Sequence, residues 1–266
     1  MNLNLKNKTA LVTGSSTGIG AAIAKTLAAE GARVIVHGRD KARTQQVASE
    51  ITQSGGDAHA IAADVPVDAG AARLIAQASE YAGGIDVLVN NAGVYFNRGW
   101  EAASSDWNDI YNVNVASVVR LIQGFLPSMR QRRWGRIIQI SSGEALAPMS
   151  RMPDYAVTKA ALANMTVSLA QELSGTGITV NTLSPGIIVT EEVKRFFTQT
   201  AKEKGWDGDW NAIEQKVLAE ILPNSVGRLG MPEDVAPLVA YVASPLASFI
   251  NGANVRVDGG SCRFVN

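Results

Sequence analysis

Strand-like and helix-like segments alternate along almost the whole of this sequence. That pattern predicts an α/β fold, a doubly wound parallel sheet with helices on both faces. Three observations carry the prediction. Short β-branched runs recur between longer stretches of helical periodicity. Gly14, Gly18 and Gly20 occupy the turn between the first such run and the helix after it. Charged residues make up 18% of the chain against a usual ~25%, which suits a large sheet covered on both sides.

The elements follow in order. Thr9–Thr13 reads as a strand apolar on both faces, and Ala21–Glu30 as a helix closed by Gly31. Arg33–His37 is the second strand, followed by a helix over Lys41–Gln53 that ends at Ser54-Gly55-Gly56. Ala58–Ala62 is a weaker third strand, Asp68–Ala82 a third helix and Asp86–Asn90 the fourth strand. Asp106–Arg133 reads as one long helix with a kink or break expected near Pro127. Arg136–Ser141, a helix over Tyr155–Ser174 and a strand over Ile178–Leu183 follow, and Asn251–Val257 is the last strand. The span 1–266 is expected to form a single domain. One helical insertion, at about 187–230, interrupts the rhythm with Phe196, Phe197, Trp206 and Trp210 among lysines and acids. Its place after a strand's carboxyl end suggests a lid over a ligand, with two structural surface helices as the plainer reading.

Composition excludes several function classes. Lys plus Arg is 24 and Asp plus Glu is 24, a balance that argues against nucleic acid as a partner. The single cysteine, Cys262, cannot close an internal disulfide, and two histidines, His37 and His59, make a zinc site an unsupported expectation. No run approaches 18 apolar residues, so no membrane span is expected. Met1–Lys8 lacks the apolar core of a signal peptide, and the expected location is cytoplasmic. The histidines are too few to favour a nucleophilic hydrolase, and the sequence has no metal-ligand cluster.

The glycine turn has a specific physical use. Residues without Cβ let the backbone turn tightly and approach a pyrophosphate, while the helix start offers free N–H groups. Ser15, Ser16 and Thr17 add hydroxyl donors. A mere tight strand-to-helix turn is the alternative.

Thr13-Gly14-Ser15-Ser16-Thr17-Gly18-Ile19-Gly20 resembles the cofactor motif of the short-chain dehydrogenases/reductases, and four more landmarks follow in family order. They are Asp64-Val65, Asn90-Asn91-Ala92-Gly93, Tyr155-x-x-x-Lys159 with Ser142 thirteen residues before the tyrosine, and Ser184-Pro185-Gly186. The resemblance runs from Lys8 to Gly260 and is to members like the 3-oxoacyl-acyl-carrier-protein reductases. It implies a Rossmann-like sheet of about seven strands in the order 3-2-1-4-5-6-7. It also implies a nicotinamide cofactor and a homotetramer.

NAD-using relatives carry an acidic residue at the end of the second strand, where this chain has Gly38 followed by Arg39. Arg39 can grip a 2′-phosphate with a bidentate fork, so NADP(H) is expected over NAD(H). A solvated turn residue is the alternative for Arg39, and Thr17 stands where many NADP-using relatives are basic. By resemblance Asp64 and Val65 flank the adenine, although Asp64 could instead cap the next helix. Asn91, Ala92 and Gly93 give the cofactor close approach, with Asn90 a candidate to knit the central strands. Pro185, Gly186, Ile187, Ile188 and Thr190 border the nicotinamide carboxamide.

Tyr155 and Lys159, spaced i,i+4, share one helix face. A phenol with an ordinary pKa near ~10 is a poor acid/base at neutral pH, and a neighbouring ammonium and an oxidised nicotinamide would both lower that value. The resemblance makes Tyr155 the general acid/base and gives Lys159 the nicotinamide ribose. It has Ser142 orient the substrate oxygen and the Asn114 amide hold a water that relays protons from Lys159. Taken singly, Tyr155 and Lys159 could be a surface pair, Ser142 a turn residue and Asn114 a packing group. Ser141 is the rival to Ser142. The implied activity is hydride transfer between a nicotinamide and a ketone or secondary alcohol. A dinucleotide-binding sensor or assembly protein is the alternative, which would have no use for an intact set of proton-transfer residues.

Overall fold

In the computed structural model, which describes residues 2–263, seven strands pair in parallel in the order β3-β2-β1-β4-β5-β6-β7. Met1 and residues 264–266, the ends of the span expected to form one domain, lie outside the described residues. The strands are Thr9–Val12 (β1), Arg33–Gly38 (β2), Asp57–Ala62 (β3), Val87–Asn90 (β4), Gly135–Ile140 (β5), Ile178–Pro185 (β6) and Asn254–Val257 (β7). Every residue of β1, β4, β5 and β6 is buried, whereas the edge strand β3 alternates in exposure. That contrast explains why β3 is the weakest strand signal in the sequence.

Gly18–Ala29 (α1), Lys41–Gln53 (α2) and Pro232–Ala243 (α9) cover one face around Val12, Ile23, Val36, Val89 and Val239. Asp68–Ala82 (α3), Ser117–Arg132 (α5) and Pro153–Glu172 (α6) cover the other around Leu11, Leu74, Leu88, Phe125 and Val180. No sequence expectation covered α9, which packs beside α1 and completes its layer.

Three boundaries differ from the sequence reading for physical reasons. Helix α1 begins at Gly18, because the glycine turn itself forms the first helical turn. The expected long helix divides into Ser104–Tyr111 (α4), a π-helical stretch over Asn112–Ala116, and α5. Pro127 does not break α5. It lies on the exposed face above Gln123, whose unpaired carbonyl water can satisfy, while Phe125 and Met129 stay buried around it. The last strand starts at Asn254 rather than Asn251, since Asn251 Oδ1 is occupied with the Val180 N–H.

The insertion contains Glu191–Lys204 (α7) and Trp210–Glu220 (α8), which share a small core of their own around Phe197, Ala201, Ile213 and Val217. Trp206 and Trp210 pack partly into that core, and only Phe196 is substantially exposed, at 42%. Of the four aromatics, only Phe196 and Phe197 line the neighbouring cleft. Gly205 is the left-handed cap of α7, so a cap explains it without a hinge. No helix among the described residues is long and apolar enough to cross a membrane.

Candidate active site

The strands β1 and β4 end side by side, and their loops form one wall of a cleft of about 1290 Å³. Gly14 and Gly18 have φ of 64° and 56°, in the left-handed region. A Cβ on Gly14 would stand 2.9 Å from Ala92 Cα, and one on Gly20 would stand 2.5 Å from Asn91 Nδ2. The turn is thus a cradle that side chains would fill. Thr17, the residue before α1, makes no side-chain cap bond, which leaves the first N–H groups of the helix to the cleft.

Hydrogen bonds hold the cradle rigid. Asn91 Nδ2 donates to the Thr13 and Gly14 carbonyls at 2.9 and 3.1 Å, and the Asn91 and Ala92 N–H groups both donate to Thr13 Oγ1 at 3.0 Å. The residue that knits the central strands is therefore Asn91; the amide of Asn90 is buried with no partner among the described residues. Ser15 is also reassigned. Its hydroxyl donates to the Val12 carbonyl and accepts from the His37 N–H, so it faces inward rather than toward a phosphate. His37, which the sequence reading passed over, accepts from the Gly14 N–H through Nδ1 and meets the Ala63 carbonyl through Nε2. Burial lowers its pKa to about 4, so the ring is neutral and serves as a latch for the turn.

At the other end of the cleft, Ser142 follows β5 and Tyr155 lies on the first turn of α6. Ser141 donates its hydroxyl to the Lys159 carbonyl at 2.8 Å and is buried, which leaves Ser142 as the serine on the cleft. Lys159 is buried, with Nζ 5.5 Å from the Tyr155 ring centroid and donating to the Ile140 carbonyl at 2.9 Å. Burial pushes the Tyr155 phenol up to about 12, against a lowering hydrogen bond from Ser142. The expectation that the lysine ammonium draws the phenol down is not met. Burial dominates both groups and lowers Lys159 itself to about 8.

Asn114 is fully buried in the π-helical stretch. Its Nδ2 donates to the Val94 carbonyl and to Thr158 Oγ1, and its Oδ1 accepts from the Val94 N–H at 2.8 Å. Both amide hydrogens are committed, so of its side chain only Oδ1 retains capacity for a water. That oxygen and Lys159 Nζ flank Gly93, where a Cβ would be 3.2 and 3.4 Å from them.

Pro185, Gly186, Ile188 and Thr190 line the cleft opposite the glycine turn. Thr190 caps α7 and brings its methyl group within 3.1 Å of where a Gly18 Cβ would be. Not every expected residue borders the cleft. Arg39 is exposed after β2, Asp64 is exposed and Val65 buried after β3, and the cleft-lining arginine nearest to Arg39 in sequence is Arg43 of α2. The absence of an acid at Gly38 also has a steric side, since a Cβ there would stand 2.7 Å from both Ser16 Oγ and Thr44 Oγ1. Among the described residues no cluster of His, Cys, Asp and Glu could hold a metal ion.

The family profile for short chain dehydrogenases matches residues 8–201, more than half of the chain. The chain belongs to that family. The 3-oxoacyl-[acyl-carrier-protein] reductase FabG of Aquifex aeolicus is 36% identical to this dehydrogenase over 262 residues, 98% of this chain and 99% of that protein. L-sorbose reductase from Gluconobacter frateurii, in a crystal structure with NADPH and L-sorbose, superposes with a TM-score of 0.94 at 34% identity over 100% of both chains. A 7α-hydroxysteroid dehydrogenase complexed with NADH superposes at 0.87, with 33% identity over 100% of this chain and 98% of that one. The family thus includes structural neighbours holding either dinucleotide, and this dehydrogenase is an oxidoreductase of the same fold with a cleft suited to a nicotinamide cofactor.

Proposed function

We propose that this chain is an NADP(H)-dependent reductase or dehydrogenase of ketones and secondary alcohols, with Tyr155 as its general acid/base. The observation that carries the reading is the cleft itself. One wall is a glycine cradle that any side chain would fill, and the other end holds Tyr155, with Ser142 beside it and Lys159 beneath. The residues present fit a dinucleotide. Backbone N–H groups of Ser16, Thr17, Gly18, Ile19 and Gly20 would hold the phosphates, and Gly14, whose own N–H is held by His37, would give them close approach. Asp64 and Val65 would flank the adenine, and Asn91, Ala92 and Gly93 would line its path. Arg39 would meet the 2′-phosphate. Tyr155 and Lys159 would hold the nicotinamide ribose, and Pro185, Gly186, Ile188 and Thr190 would border the carboxamide.

When bound, the nicotinamide supplies the hydride to the substrate carbon or removes it. The chain supplies the rest. Ser142 donates to the carbonyl oxygen and orients it. Tyr155, whose pKa stands near 12, keeps its proton at neutral pH and can deliver it to that oxygen as the carbonyl is reduced. Lys159 then returns a proton to Tyr155, with Asn114 Oδ1 holding the relaying water. Helices α7 and α8 would close over the substrate as one packed body.

We further infer a homotetramer. Val157, Ala160 and Val167 form an exposed stripe on α6, and Phe249 near the edge strand β7 is wholly exposed.

Tyr155→Phe is the deciding experiment. It should retain NADPH binding by cofactor fluorescence and lose turnover by roughly 10²- to 10⁴-fold. Wild-type kcat in this variant would remove Tyr155 from the mechanism.

A further inference from the structure

Beyond the tyrosine, the cleft carries polar groups that hydride transfer itself does not use. Glu144, in the turn after Ser142, is only 7% exposed. Its Oε2 accepts from the Met149 N–H at 2.8 Å, the one hydrogen bond its carboxylate makes among the described residues. Arg151, just before α6, lines the same cleft, and its charge reaches Glu144. Its Nε is buried with no hydrogen-bond partner among the described residues. Tyr95, from the loop after β4, stands edge-on to Tyr155 with ring centroids 6.0 Å apart, and burial together with the charge of Glu192 on α7 pushes its phenol up to about 12.

These groups come from three separate segments and converge around Tyr155. A carboxylate oxygen needs a donor, and a buried guanidinium N–H needs an acceptor. Leaving either unpaired under a ligand is costly. A purely apolar ketone would desolvate both and satisfy neither. An anionic substrate would pair with Arg151 but would confront the carboxylates of Glu144 and Glu192. Of the other arginines on the cleft, Arg195 donates to the Glu191 carbonyl, Arg228 pairs with Asp234 and Arg256 donates to the Cys262 carbonyl. A neutral hydroxyl is both donor and acceptor, so neighbouring hydroxyls can serve Glu144 and Arg151 together.

We propose that Glu144 and Arg151 form a hydroxyl-recognition subsite and that the substrate is a neutral polyhydroxylated ketone or aldehyde. The assignment rests on the reductase reading above. The apolar remainder of the wall, with Met149, Ile187 and Phe196, would pack on the carbon skeleton. Hydride goes to the carbonyl carbon and the Tyr155 proton to its oxygen, so NADPH is oxidised as the carbonyl becomes a secondary or primary alcohol.

The test measures NADPH consumption by the intact protein in four arms. They are neutral ketohexoses, an apolar ketone of the same carbon number, a keto acid of the same carbon number, and an activated β-keto ester as a reporter of reductase chemistry. Wild type should show its highest kcat/KM on a ketohexose. Glu144→Leu should lower the ketohexose-to-ester ratio of kcat/KM by about 10²-fold, while Glu144→Gln, which keeps an acceptor, should lower it by no more than about tenfold. NADPH fluorescence checks that each variant is folded, and if Glu144→Leu is not, the wild-type arms and Glu144→Gln decide. Preference for the apolar ketone or the keto acid, or a ratio unmoved by Glu144→Leu, overturns the substrate class and leaves the reductase reading standing on the ester. No turnover in any arm, the ester included, overturns both.

Discussion

Replacing Lys159 by methionine should stabilise the folded chain while abolishing turnover. The Lys159 ammonium is buried, and the Ile140 carbonyl at 2.9 Å is its one hydrogen-bond partner among the described residues. Burial lowers its pKa from 10.5 to about 8. At about 1.4 kcal/mol per pH unit, the folded state disfavours the ammonium by about 3 kcal/mol relative to the unfolded chain. Methionine keeps most of the packing and removes the charge, and the carbonyl it orphans costs about 1 kcal/mol. The net gain near neutral pH is about 2 kcal/mol, or roughly 4–8 °C in Tm for a chain of this size. The sign with pH follows from proton binding. Between pH 8 and 10.5 the unfolded chain holds a proton that folded Lys159 has released, so wild-type stability gains with rising pH across that window. The methionine variant lacks this gain, and its advantage should shrink to nothing or reverse by the top of the window. Thermal melts of both proteins without cofactor, at closely spaced pH values from neutrality upward, measure the difference directly. A variant that melts at or below wild type at neutral pH, or a gap that ignores pH, would refute this account of Lys159. The outcome expected is the usual exchange of stability for function at a proton-transfer site.

Three further outcomes are expected. Arg39→Ala should lower kcat/KM with NADPH by roughly 10- to 10²-fold and leave NADH unaffected; an equal effect on both cofactors means that another residue, Arg43 being the nearest on the cleft wall, reads the phosphate. Hydrogen exchange over residues 191–220 should be fast without ligand and slow once NADP(H) and substrate are bound, whereas equal protection in both states makes α7 and α8 a fixed wall. Light scattering at micromolar concentration should return four times the 28.1 kDa chain mass, and a monomer would reject the exposed Val157, Val167 and Phe249 as assembly surfaces.

Local order in the chain made a good part of this protein legible. The parallel strands announce themselves as apolar runs because both faces of the sheet are covered. Gly14 and Gly20 sit where only a glycine clears Ala92 and Asn91, and Gly18 holds a left-handed φ beside Thr190. Tyr155 and Lys159 share a face because helical periodicity places i and i+4 together. The choice of Ser142 over Ser141, made on spacing to the tyrosine, agrees with the inward turn of the Ser141 hydroxyl. Other features required the folded chain. Asn91 rather than Asn90 ties β1 to β4, because alternation along the strand turns the Asn90 amide into the buried layer under the sheet. Ser15 spends its hydroxyl on Val12 and His37, and His37 becomes a neutral latch, only because β1 and β2 are neighbours. The pKa values of Tyr155 and Lys159 follow burial, which spacing does not report. Tyr95, Glu144, Arg151 and Glu192 are far apart in sequence and meet where the loops after β4 and β5 face α7. Sequence by itself therefore determined the sheet, the glycine cradle and the residues proposed for proton transfer, whose signals lie within a turn or two of chain. Tertiary structure alone decided the substrate end of the cleft, because its chemistry comes from residues that only packing brings together.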